Sequence, residues 1–164
     1  MPLSLIYTII GLFIFTVVVF VIDNRMTPKM KEAELSLDLI RLRTYTNKNE
    51  LRYMSHRDFE FYVADFLRLT RDLKTYVTQA AKDGGKDIIA FDDDDEKIYV
   101  EVKHWKGNVG RPAIQKLYGA MIADKIKRGY FITSSGFTKD ALQYASKTNI
   151  TLIDGNELIR QLHT

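Results

Sequence analysis

The sequence contains no cysteine, which removes disulfide frameworks, thiolate zinc sites and cysteine nucleophiles from consideration and permits a reducing compartment. Histidine is scarce: the three residues, at positions 56, 104 and 163, are too scattered for an imidazole metal cluster. The 164 residues exclude a large multidomain enzyme and leave room for one ordinary domain. Neither sign of charge prevails. With 24 Lys+Arg against 21 Asp+Glu, the net charge of +3 gives only a weak hint of an anionic partner such as nucleic acid or a lipid surface. No internal repeat is visible.

Charge is missing altogether from one stretch. From Leu3 to Ile22 there are 20 consecutive uncharged residues, 16 of them apolar, the others being Ser4, Thr8, Gly11 and Thr16. As a helix this run spans roughly 30 Å, the thickness of a bilayer's hydrocarbon core. A cleaved secretory signal would need a positive n-region and a small-residue cleavage site; Met1-Pro2 carries no side-chain charge and Asp23-Asn24-Arg25 is no such site. Residues 1–24 are therefore expected to form a single-pass transmembrane anchor. Arg25, Lys29 and Lys31 follow the span and no Lys or Arg precedes it, so the positive-inside bias puts the rest of the chain on the cytoplasmic side of the membrane.

Between Pro28 and Gly84 there is neither proline nor glycine. Leu35, Leu39 and Leu42 at helical spacing predict a juxtamembrane helix over 29 to about 46, with the polar stretch Thr44 to Glu50 as linker; together these make up residues 25–54. Ser55 followed by Asp58 resembles a helix start, with Phe59, Tyr62, Val63, Phe66 and Leu69 as the apolar stripe of a helix to about Thr70. Thr75 to Ala81, Asp87 to Phe91 and Ile98 to Lys103 read as an antiparallel meander, broken at Asp83-Gly84-Gly85 and Asp92 to Glu96. A helix opening at Pro112 and ending near Arg128-Gly129, a strand Tyr130 to Thr133, a helix Thr138 to Lys147, a strand Ile150 to Ile153 and a final helix Glu157 to Leu162 complete the order αβββαβαβα. That order predicts an α/β domain over 55–164, a mixed sheet flanked by helices.

In the strand Ile98 to Lys103, alternation places Tyr99, Glu101 and Lys103 on one face. Asp87 opens the neighbouring strand, from which its carboxylate could reach Glu101. Two carboxylates and a lysine suit hydrolysis assisted by a hard cation such as Mg²⁺, with the lysine orienting water and offsetting transition-state charge. Taken alone, D…E-x-K is more readily a cross-strand ion pair on a solvated face. Glu60 lies at the edge of the preceding helix's apolar stripe, where it is either a third carboxylate over the sheet or an ordinary exposed glutamate.

Six segments in order resemble the catalytic domain of Mrr-type restriction endonucleases, a branch of the PD-(D/E)xK nuclease superfamily. They are Phe59-Glu60-Phe61-Tyr62-Val63-Ala64, Asp83 to Ile89, Val100-Glu101-Val102-Lys103, Val109 to Ile114, Phe131 to Thr138 and Ile150 to Asp154. The resemblance implies a restriction-endonuclease-like αβββαβ core and a Mg²⁺-dependent DNA endonuclease. In it Asp87 and Glu101 ligate the metal, Lys103 serves the water and Glu60 assists as a further ligand. Gln115, on the helix after the catalytic strand, matches a supporting polar position in related nucleases. Family members often carry Gln where Glu101 stands, and Glu gives the fuller metal-binding set; they also commonly attach a separate DNA-recognition domain, where this chain offers a membrane helix, which leaves the substrate open. A homodimer, pairing two chains to cut both strands, is compatible with this class.

From Lys97 to Arg128 there are eight Lys/Arg and two acids. Lys106, Arg111 and Lys116, with Lys103, surround the proposed site and are the candidates for binding a DNA backbone. The five acids Asp92 to Glu96 fall between two strands and read as a solvated hairpin turn. The leading expectation is a membrane-anchored DNA endonuclease. The alternative is a non-cleaving module that tethers DNA to the membrane.

Overall fold

Strand and helix boundaries follow from where the chain can bury apolar side chains on both sides of one sheet. The structure, a computed structural model, describes residues 7–16, 28–78 and 86–163. The chain divides into two compact units, Met1–Asp38 and Leu39–Thr164. The elements are α1 Pro28–Arg43, α2 Lys48–Leu51, α3 His56–Arg71, β1 Lys74–Val77, β2 Ile88–Phe91, β3 Lys97–Lys103, α4 Arg111–Ala123, β4 Arg128–Thr133, α5 Lys139–Ala145, β5 Ile150–Ile153 and α6 Gly155–Leu162.

The strands lie in sequence order across one five-stranded sheet, β1-β2-β3-β4-β5. β1, β2 and β3 are antiparallel, as tight turns allow, whereas β3, β4 and β5 are parallel and joined through α4 and α5. The mixed sheet predicted from the element order is thus present. β3 is the central strand and is buried on both faces. Ile98, Val100 and Val102 face a core shared with α3 and α6, to which Leu42 and Leu51 also belong. Tyr99 faces a second core, with Phe131 of β4 and with Ile114, Leu117 and Met121 of α4.

Local signals set most helix starts. Ser55, Thr138 and Asp154 each accept a hydrogen bond from the backbone three residues on, and Pro112 stands in the first turn of α4. α3 ends where Asp72 adopts a left-handed conformation, φ 54°.

Several expectations are corrected. The stretch assigned as linker holds α2, capped by Asn47, and its Leu51 is fully buried; one apolar residue among polar ones has no period to betray it. α6 begins at Gly155, two residues earlier than expected, because Asp154 is its cap. A side chain at Gly155 would put Cβ 2.4 Å from the Ser134 carbonyl oxygen, so only glycine lets α6 start against the end of β4. α4 ends at Ala123, and β4 starts at Arg128 because that residue already pairs with Ile98. Of the span predicted over 3–22, only 7–16 is described; it is helical with exposed side chains, and the rest lies outside the described residues. Among the described residues no helix is long and apolar enough to cross a membrane.

Candidate active site

The predicted carboxylates meet where β2 begins and β3 ends. Asp87 stands one residue before β2, its amide donating to the Val100 carbonyl at 3.0 Å and its carbonyl accepting from the Thr78 amide at 2.9 Å. Asp87 Oδ2 accepts the Val102 amide at 2.7 Å, satisfying a backbone donor of β3 beyond the last paired residue of β2. Ile88 pairs with Val100 in the apolar core, so alternation turns Asp87 and Glu101 to the opposite face.

Glu101 is 4% exposed. Its Oε1 lies 3.3 Å from Lys103 Nζ, while Oε2 is buried without a hydrogen-bond partner among the described residues. Burial, and next the negative charge of Asp87, push its carboxyl up to about 6; the ammonium groups of Lys103 and Lys116 act in the opposite sense. A buried carboxylate with an orphaned oxygen, a like-charged neighbour and an adjacent lysine is costly for a bare protein. Its all-oxygen donor set fits a hard divalent cation, which would relieve both the orphaned atom and the repulsion. Lys103 is a quarter exposed, and its ammonium sits 5.5 Å from the centroid of the exposed Trp105 ring.

Glu60 does not complete a triad of carboxylates. It is buried, but on α3 its Oε2 is held by Arg57 at 2.7 Å and its Oε1 by His56 at 3.2 Å, each one turn back on the same helix. Arg57 also donates to the Thr78 carbonyl, so this ion pair braces α3 against the backbone that holds Asp87. Among the described residues no three His, Asp or Glu side chains form a group able to hold a metal ion. Gln115 is exposed on α4, and no hydrogen bond joins it to either carboxylate. Lys106 is exposed in the loop after β3, and Lys116 is exposed on α4 with its charge felt at Glu101. Arg111 turns to α5 instead, 3.6 Å from Asp140 and 4.9 Å from the Tyr144 ring centroid. Lys74, Lys127 and Arg128 pair with Asp95, Glu96 and Asp92 of the acidic turn.

Pattern reading missed three features. Lys86, Tyr99 and Asp124 form an ionic cluster beside Asp87. His104 Nε2 meets the Leu51 carbonyl at 2.9 Å, tying α2 to the end of β3. Thr133 Oγ1 donates to the Lys103 carbonyl at 2.8 Å, and Ser135 Oγ to the Gly107 carbonyl at 2.7 Å, so the loop leaving β3 is pinned to that leaving β4.

A helix, an antiparallel meander and a parallel crossover strand, with two carboxylates and a lysine where the meander meets the crossover, define the restriction-endonuclease class of nuclease. Comparison with known proteins gives the family: residues 51–162 match the restriction endonuclease family Mrr_cat, and the chain belongs to it. The type IV methyl-directed restriction enzyme EcoKMrr of Escherichia coli (strain K12) is 48% identical over 80 residues, 47% of this chain and 26% of that protein. An uncharacterized protein of Sinorhizobium fredii is 38% identical over 72 residues, 41% of this chain and 18% of that one. The chain thus matches about a quarter or less of these curated relatives' length. Among solved structures, the DNA modification-dependent restriction endonuclease AspBHI superposes with a TM-score of 0.55 at 17% identity, over 79% of this chain and 35% of that one. The MspJI restriction endonuclease, solved with a 27-mer oligonucleotide, superposes at 0.50 and 15% identity, over 63% of this chain and 26% of that one. At such identities the likeness is one of fold.

Proposed function

We propose that this chain is a Mg²⁺-dependent DNA endonuclease anchored in the cytoplasmic membrane through residues 3–22, with its catalytic domain on the cytoplasmic side. The observation that carries the reading is the pairing of Asp87 and Glu101 beside Lys103, with one Glu101 oxygen buried and unpartnered. The relatives' printed names, which include methyl-directed and modification-dependent restriction enzymes, favour DNA as substrate. The uncharged run at 3–22 supports the anchor.

Asp87 and Glu101 would hold the cation, which when bound supplies positive charge at the scissile phosphate and acidifies a water. Glu101 takes that role only when ionised, so its proton must leave first; with a carboxyl pushed up to about 6, cation affinity rises with pH through that range. Lys103, 3.3 Å from Glu101, orients the attacking water and offsets the charge that develops on the phosphate. Lys106 and Lys116, exposed near the site, supply salt-sensitive backbone contacts, and Arg111 joins them only by leaving Asp140.

The test is cleavage of unmodified and methylated DNA by the full chain in detergent, with and without Mg²⁺. Cleavage that disappears in Asp87→Ala and Lys103→Ala is expected. Salt-dependent DNA binding without cleavage of any form would replace the enzyme with a tether. For the anchor, the full chain is expected to stay with membranes after alkaline extraction; release into the soluble fraction would refute it.

A further inference from the structure

The residue immediately before Asp87 enters a second ionic cluster. Lys86 Nζ lies 2.6 Å from Asp124 Oδ2, 3.2 Å from the Tyr99 hydroxyl and 4.3 Å from the centroid of the Tyr99 ring. The Tyr99 hydroxyl donates to the same Asp124 oxygen at 2.6 Å. Three separate parts of the fold meet here: the residue leading into β2, the β3 residue two positions before Glu101, and the C-cap of α4. The Lys86 side chain is 18% exposed and that of Asp124 43%, so the cluster is half-buried at the rim of the sheet and rests on Tyr99, which is buried, as its third member.

We propose that Lys86, Tyr99 and Asp124 act as a positioning clamp that fixes the Asp87 carboxylate for the cation. The inference deepens the nuclease reading and rests on Asp87 being a cation ligand. The peptide joining Lys86 to Asp87 sets the direction in which the carboxylate leaves the backbone. One side of that peptide is held by Thr78, whose hydroxyl lies 2.8 Å from the Lys86 carbonyl and 3.0 Å from that of Asp87. The other side is held through the Lys86 side chain, which ties it to β3 and α4. The clamp acts through geometry rather than field, because the Lys86 charge is neutralised by Asp124 at contact distance. Groups that orient a ligand from behind typically alter metal affinity or activity 10- to 100-fold when removed. Tyr99 couples the clamp to Glu101 as well, since both project from the same face of β3.

The experiment uses the full chain in detergent, without DNA, and reads two quantities: Mn²⁺ binding by titration calorimetry and exchange of the Val102 amide, whose acceptor is Asp87 Oδ2. Lys86→Met and Asp124→Asn are each expected to weaken Mn²⁺ binding about tenfold and to speed Val102 exchange. The double variant should do no worse than the poorer single one, and Lys86→Arg should retain most of the affinity. A cluster that only stabilises the fold would lower the melting temperature and leave both readouts unchanged, and that result would overturn the proposal. If Lys86→Met does not fold, Tyr99→Phe removes only the hydroxyl and is expected to move both readouts in the same direction by less; no movement would count against the clamp. Asp87→Asn separates the two claims. Unchanged Mn²⁺ binding in that variant would refute Asp87 as a ligand, while Val102 exchange in Lys86→Met would still decide whether the clamp holds the carboxylate.

Discussion

The two faces of β3 do opposite things, the apolar one fully buried and the polar one opening to solvent at Lys103. One face presents Ile98, Val100 and Val102 to α3 and α6 and holds nothing but apolar side chains. The other presents Tyr99, Glu101 and Lys103, and at Glu101 it buries a carboxylate that has one oxygen unpaired and Asp87 for a neighbour. The first face stabilises by removing apolar surface from water, on the order of 25 cal/mol per Å². The second packs Tyr99 into an apolar core but at Glu101 holds a carboxyl whose ionised form is disfavoured by burial and by the Asp87 charge. One seven-residue strand therefore carries both a purely apolar burial and an ionic one.

Breaking each face should give distinct signatures. On the polar face, Asp87→Ala or Lys103→Ala is expected to lower DNA cleavage by roughly 100- to 1000-fold in single-turnover assays, with the fold retained by circular dichroism. On the apolar face, Ile98→Ala should cost about 2–5 kcal/mol in denaturant titration while Mn²⁺ affinity stays within about twofold in the folded protein.

Glu101→Gln sharpens the contrast because its sign is unusual. The Glu101 carboxyl is pushed from 4.5 up to about 6 in the folded state, so the folded protein binds that proton more tightly than the unfolded chain. The favourable contribution is fully present below 4.5 and is lost as pH rises through about 6. Above that range the ionised group costs about 2 kcal/mol. Without cation, Glu101→Gln is therefore expected to be more stable than wild type at pH 8, by up to that amount, with the gain vanishing below pH 4.5. DNA cleavage by the same variant is expected to fall, in step with weaker cation binding, without being abolished. Asp94→Asn, exposed in the acidic turn that leads into β3 at the end opposite Glu101 and Lys103, is expected to change stability by less than about 0.5 kcal/mol and cleavage not at all.

The sheet and most helices were legible because their signals are local: apolar periodicity, a helix start at Ser55 and a proline at the start of α4. The approach of Asp87, Glu101 and Lys103 was legible as well, since alternation and a tight antiparallel connection leave them few alternatives. What escaped lies in pairings between distant parts of the chain. Glu60 showed its place at the edge of the α3 stripe, but not that Arg57 and His56 would occupy both its oxygens. Arg111 read as a phosphate contact because composition cannot reveal Asp140 and Tyr144 beside it. Leu51 and His104, 53 positions apart, meet through a backbone carbonyl that no side-chain pattern encodes. The acidic turn looked inert, yet it draws Lys74, Lys127 and Arg128 away from any site, so the basic excess available to DNA is smaller than the count of lysines and arginines suggests.

The cation-binding role proposed for Asp87 and Glu101 is open to a single measurement. Its most direct test is the shift in melting temperature produced by Mn²⁺ at pH 8 in wild type and in Glu101→Gln. A cation that binds only the folded state raises the melting temperature. A clear rise is expected in wild type, and in Glu101→Gln a higher starting temperature with a markedly smaller rise. An equal Mn²⁺ shift in both proteins would place the cation elsewhere and refute that role.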